Sequence, residues 1–175
     1  MNTKTRPLTI FFGDLTHDTV VLVSDTMPIN IGGIAEYALK LFGGNIATRL
    51  FKYPASLIDA IQASCPDMVV LSNYSWNSKL SEHVAGVAKK INPNVLTVQG
   101  GTNFPHESEL QLDFLLSRSN TDVFVELEAE LVFSELIGSI LNCNGKKENI
   151  FGSVINGCVF IEPESRSSDT PILVK

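Results

Sequence analysis

The residues best equipped for chemistry in this 175-residue chain sit in short polar turns that directly follow apolar runs. These turns are Gly13-Asp-Leu-Thr-His17, Asp25-Thr-Met-Pro-Ile-Asn-Ile-Gly32, Ser72-Asn-Tyr-Ser-Trp-Asn77, Gly100-Gly-Thr-Asn-Phe-Pro105 and Glu126-Leu-Glu-Ala-Glu130. Their glycines admit a ligand close to the backbone. Ser and Asn offer hydrogen bonds, and Tyr and Trp offer flat apolar area. That mixture suits a large, flat, partly polar cofactor better than a compact phosphate ester.

Each candidate also has an ordinary use. His17 could ligate a metal if Asp14 fixed its tautomer by a hydrogen bond, or it could be a plain loop histidine. His83 and His106 read as solvated. Glu126, Glu128 and Glu130 could form an acid–base pair of the glycosidase kind, or complement a helix macrodipole. Trp76 could stack on a ligand or cap the core. Gly100-Gly101 could be a tight turn, and Cys65, Cys143 and Cys158 buried small hydrophobes.

Several chemistries find no support. Neither G-x-G-x-x-G nor G-x4-G-K-[ST] occurs, and there is no G-x-S-x-G elbow. A receiver-type phosphoacceptor would need a lysine near Glu126. With 13 Lys and Arg against 19 Asp and Glu, a net charge of -6 argues against nucleic-acid and anionic-membrane surfaces. The cysteines lack paired spacing, and no apolar run approaches the roughly 18 residues of a membrane span. Met1 to Pro7 leads into only a short apolar patch, so no secretory leader is expected. A cytoplasmic single-domain protein is the expectation.

The elements that must position these turns follow from periodicity. Leu8–Phe12, Thr19–Ser24, Ile46–Phe51, Met68–Ser72, Val95–Val98 and Asp122–Val125 read as strands, Met68–Ser72 as a central one. Helical spacing links Ile34, Ala38, Leu41 and Phe42, and Gly43-Gly44 stops that helix. A short helix carries Leu57, Ile58 and Ile61. A longer one carries Leu80, Val84, Val87, Ala88 and Ile91, with Glu82, Lys89 and Lys90 off its stripe. Further helices hold Leu110, Phe114 and Leu115, then Val132 to Leu141. Asn156-Gly157, between Ser153–Ile155 and Cys158–Ile161, predicts a hairpin.

Strands alternating with helices predict an α/β fold, a flavodoxin-like (Rossmann-like) three-layer α/β/α sandwich. Its sheet is expected to be mainly parallel and five-stranded, with a C-terminal hairpin. Residues 1–163 would form this domain, and 164–175 a polar, weakly ordered tail.

The turn motifs resemble the N-terminal cobalamin (B12)-binding domain of B12-dependent radical SAM proteins. The resemblance rests on Pro28-Ile-Asn-Ile-Gly32, Ser72-Asn-Tyr-Ser-Trp-Asn77, Gly100-Gly-Thr-Asn-Phe-Pro105, and Glu128-Ala-Glu130 followed by Phe133, in that order over residues 8 to 162. It implies that Ser72, Gly100 and Gly101 line the cavity for the nucleotide tail of cobalamin. Asp25, Thr26, Met27, Pro28 and Gly32 would sit beneath or beside the corrin ring. Tyr74, Trp76, Asn77, Asn103 and Glu128 would border the same crevice, and His17 would be the candidate cobalt ligand.

Departures from the family pattern accompany the resemblance. The family's Gly-Glu-Gly-Glu is Leu127-Glu128-Ala129-Glu130 here, so both glycines are replaced. No D-x-H-x-x-G supplies a cobalt-ligating histidine, and no C-x3-C-x2-C is present to build an iron–sulfur cluster. The implied function is to bind and position cobalamin for a radical SAM catalytic domain, in the same or another chain, with methyl transfer or related chemistry. The chain itself would be non-catalytic; a homodimer is left open. The alternative is a degenerate domain that no longer holds B12 and serves protein interaction or regulation.

Overall fold

Met68–Ser72 (β3) is buried along its whole length, as a strand covered on both faces must be. It lies between Leu8–Gly13 (β1) and Leu96–Gly100 (β4), parallel to both. Ile46–Phe51 (β2) extends the sheet beyond β1, and Val123–Val125 (β5) extends it beyond β4, again in parallel. Cys158–Ile161 (β6) and Leu173–Val174 (β7) then add antiparallel strands. The order is β2-β1-β3-β4-β5-β6-β7, so among the described residues the sheet has seven strands rather than five. This computed structural model describes residues 6–17, 27–126, 128–143 and 150–175. The expected strand Thr19–Ser24, the site residues Asp25 and Thr26, and Leu127 lie outside the described residues.

Ile29–Phe42 (α1) and Ala129–Asn142 (α5) cover one face. They pack over Ile10, Phe12, Met68, Val70, Val98, Val125 and Phe160. The buried stripe of α1 is Ile31, Ala35 and Ala38, not the predicted stripe through Leu41, which is 54% exposed. Alanines on that stripe let α1 approach α5 closely. Pro54–Ser64 (α2) and Ser78–Ile91 (α3) cover the opposite face over Phe11, Val69 and Leu71. Ser108–Leu116 (α4) packs there too, over Phe124, Val159 and Ile161. α2 stops where Cys65 takes a left-handed φ of 44° and Pro66 follows.

Two expectations change. Ser153–Ile155 is not a strand, so Asn156-Gly157 is no hairpin between Ser153–Ile155 and β6. Gly157, at φ 83°, is pressed so closely on α5 that a Cβ there would lie 2.6 Å from Val132 Cγ2. The turn therefore feeds β6 alone, beside β5. The segment from Glu164 on, expected as a weakly ordered tail, folds back to form β7. The Arg166 guanidinium donates to the carbonyls of Leu115 (2.6 Å) and Arg118 (2.9 Å). Burial lowers the Arg166 pKa from its ordinary value. Glu82 and Lys89, off the apolar stripe of α3 as expected, are half-buried. Glu82 accepts from Asn120, Thr121 and Gln99, and Lys89 pairs with Asp122.

At the open edge of the sheet, Arg49 on β2 lies over the rings of Phe11 and Phe51, at 5.1 and 5.0 Å. A cation held there discourages pairing with another strand. Among the described residues, no helix is long and apolar enough to cross a membrane.

Candidate functional site

The order β2-β1-β3-β4-β5 places a topological switch point between β1 and β3, where sheets of this kind open a crevice at their carboxyl ends. Asp14 and Ser72 stand on either side of it. Ser72 Oγ donates to Asp14 Oδ1 at 2.6 Å and accepts from Asn77 Nδ2 at 2.9 Å. Asn77 Oδ1 accepts from the Tyr74 backbone N–H at 2.8 Å, and Ser81 Oγ donates to the Ser72 carbonyl. Asn77 is fully buried. It builds the 73–77 turn from inside and does not line the cavity described below.

This turn presents an aromatic pair. The rings of Tyr74 and Trp76 stack at 4.6 Å with an interplanar angle of 11°, and Trp76 is 64% exposed. Tyr74 is tied to α1, its hydroxyl accepting from Asn30 Nδ2 at 2.8 Å. His17 Nε2 lies 3.0 Å from the Trp76 carbonyl. Because a carbonyl only accepts, Nε2 is the protonated nitrogen. His17 thus pairs with the Trp76 backbone, while the Asp14 carboxylate is engaged by Ser72. Among the described residues, no group of three metal-ligating side chains converges.

The end of β4 is locked to the same turn. Gly101 has φ 139°, and a Cβ there would sit 2.5 Å from the Asn73 carbonyl oxygen. Asn73 donates its backbone N–H to the Gly100 carbonyl at 2.7 Å and its side-chain amide to Gln99 Oε1. Asn103 Nδ2 donates to Asn73 Oδ1 at 3.0 Å. Neither Asn73 nor Gln99 was expected as a site residue; both are fully buried, Asn73 inside the Ser72–Asn77 motif and Gln99 just before Gly100.

Between this joint and the helices α1 and α5 lies a cavity of about 250 Å³. Its walls include Ile31 and Ile34 from α1, Phe133 from α5, and Val70, Val98 and Val125 from the sheet. Ser72, Tyr74, Gly100 and Gly101 line it, joined by Asn30 and Glu130. Gly100 keeps it open: a Cβ would lie 3.3 Å from the Val125 carbonyl. Ala129, at a position where the family has glycine, contributes to the wall.

Other expected residues lie elsewhere. Met27 is 81% exposed, and Pro28 caps α1. At Gly32 a Cβ would face Leu50 of β2, so this glycine does not line the cavity. Glu128 precedes α5, its carbonyl accepting from Leu131 and Val132 N–H. Glu130 lines this cavity, and Glu126 lines a neighbouring one. Cys158 is buried in β6, where burial, aided by Glu135, pushes its thiol up to about 12, whereas Cys65 is exposed.

No family model matches the chain. Two curated proteins are similar over about half of it. One is the 2-(S-pantetheinyl)-carbapenam-3-carboxylate methyltransferase of Streptantibioticus cattleyicolor, 35% identical over 92 residues, which are 50% of this chain and 13% of that protein. The other is the cobalamin-dependent radical SAM methyltransferase TokK of Streptomyces tokunonensis, 33% identical over 97 residues, 53% of this chain and 14% of that one. The match thus covers only a small part of either relative. Among solved structures, the cobalamin-dependent S-adenosylmethionine radical enzyme OxsB aligns with a TM-score of 0.60 at 17% identity, over 90% of this chain and 21% of OxsB. A cobalamin-binding protein from Desulfitobacterium hafniense aligns with a TM-score of 0.52 at 12% identity, over 74% of this chain and 57% of that one. The chain has the fold of a cobalamin-binding protein, and in sequence it resembles cobalamin-dependent radical SAM methyltransferases, as its strand-end motifs implied.

Proposed function

We propose that this chain binds cobalamin at the carboxyl edge of its sheet, with the nucleotide tail in the cavity between β3, β4 and the helices α1 and α5. The observation that carries this is the pair Gly100-Gly101, which lines that cavity without side chains, beside Ser72 and the switch point. The chemistry fits. The cavity wall is mainly aliphatic, as a flat heteroaromatic base requires, and Ser72, Tyr74 and Asn30 supply hydrogen-bonding groups at its boundary. The Tyr74–Trp76 stack offers an exposed aromatic surface next to it for the corrin.

Bound cobalamin would supply a cobalt centre for methyl transfer. The chain's own residues would bind and orient it, Ser72 and the glycines bordering the tail and the Tyr74–Trp76 pair offering the ring an apolar surface. The reaction would be completed by a radical SAM domain, in this protein or another, consistent with the relatives named above. Gel filtration of hydroxocobalamin-treated protein tests the binding. A coloured, spectrally shifted complex that survives desalting is expected; a colourless protein would leave the non-binding interaction module as the better account.

A further inference from the structure

A second cavity, of about 410 Å³, adjoins the first and shares Gly101, Val125 and Ala129 with it. Its apolar lining is Phe104 and Phe124, stacked at 4.0 Å with an interplanar angle of 8°. Its polar lining is Thr102, His106 and Glu126, with no Lys or Arg among the described lining residues. Next to this wall is Gln111 of α4, 1% exposed. Its Nε2 donates to the Pro105 carbonyl at 2.9 Å and to Glu126 Oε1 at 2.5 Å. Both N–H groups are thereby directed at acceptors, and the buried Gln111 Oε1 has no donor among the described residues. The Glu126 carboxylate and the neighbouring Gln111 amide thus bring acceptors to this corner with no Lys or Arg beside them, while Thr102 and His106 are the lining side chains able to donate.

We propose that this second cavity is a primary-amide pocket, which accepts an uncharged carboxamide arm of the corrin periphery and rejects the corresponding carboxylate. The proposal rests on cobalamin binding as argued above. A carboxamide brings N–H donors to the Glu126 carboxylate and its apolar stem to Phe104 and Phe124. A carboxylate brings no donor and places like charge against Glu126 with no Lys or Arg in the lining to offset it. The pocket would thus distinguish finished cobalamin from corrins whose arms are still acids.

The test uses hydroxocobalamin and its separate monocarboxylic derivatives, each with one propionamide hydrolysed, titrated into the whole chain at neutral pH and followed by visible absorbance. One derivative is expected to bind roughly tenfold more weakly than hydroxocobalamin, and Glu126→Gln to erase that gap. Equal binding of every derivative by the unaltered protein would overturn the pocket while leaving cobalamin binding intact. So would a gap that persists in a folded Glu126→Gln variant. Failure to retain any corrin would overturn both proposals.

Discussion

The Ser72 hydroxyl donates to the Asp14 carboxylate at 2.6 Å, across the gap where β1 and β3 diverge. This bond ties together the two strands whose opposite crossovers open the crevice, and the same hydroxyl accepts from Asn77. Ser72→Ala would strip a half-buried carboxylate of its donor and a buried amide of its acceptor. A loss of about 1–3 kcal/mol is expected. Urea unfolding checks this: the midpoint should fall with little change in slope.

Gly100 and Gly101 should respond differently to the same change. Gly101→Ala puts a side chain at φ 139° and 2.5 Å from a backbone oxygen, so a loss of about 2 kcal/mol or more is expected, together with loss of cobalamin retention. Gly100→Ala meets the Val125 carbonyl at 3.3 Å and needs only a small adjustment. Its melting temperature should stay near that of the parent while cobalamin retention weakens. Thermal unfolding and desalting, run on both variants, separate the two effects.

Trp76 is the sole tryptophan, and its ring is largely exposed. Its emission should therefore report directly on the crevice. Titration with hydroxocobalamin should quench it to a saturating end point, beyond the inner-filter loss measured with free tryptophan. Trp76→Ala should change stability by less than about 0.5 kcal/mol while weakening retention.

Cys158 and Cys65 should differ in reactivity. With its thiol pushed up to about 12 by burial, Cys158 should resist a thiol reagent at mildly alkaline pH until the chain unfolds, whereas exposed Cys65 reacts at once. The sign of the pH effect follows. The folded state holds the proton more tightly than the unfolded one, so this contribution is intact below about pH 9 and is lost as pH rises toward about 12. Denaturant unfolding across that range should show a shallower alkaline decline in Cys158→Ala than in the parent.

The parallel core was legible because its strands announce themselves locally. Met68 to Ser72 reads as a central strand from its own residues, and the polar turns after each strand fall on the carboxyl edge. What escaped notice depends on distant partners. β7 is two residues long and exists because β6 is beside it, with Arg166 reaching carbonyls near the end of α4. Asn77 and Trp76 are neighbours in one turn, yet one is fully buried and the other open; residue type does not reveal which way a turn aims its side chains. Glu82 lies off the apolar stripe of its helix, and only the approach of Gln99 and Thr121 makes it part of a polar layer.

Asn73 and Gly101 are locked together by backbone contact and by the bonds of Asn73 to Gly100, Gln99 and Asn103. The consequence is thermodynamic. Conformational entropy in both rim loops is surrendered when the chain folds, not when a ligand arrives. Association at this rim therefore starts from a preformed surface, and little of its free energy goes into ordering the backbone.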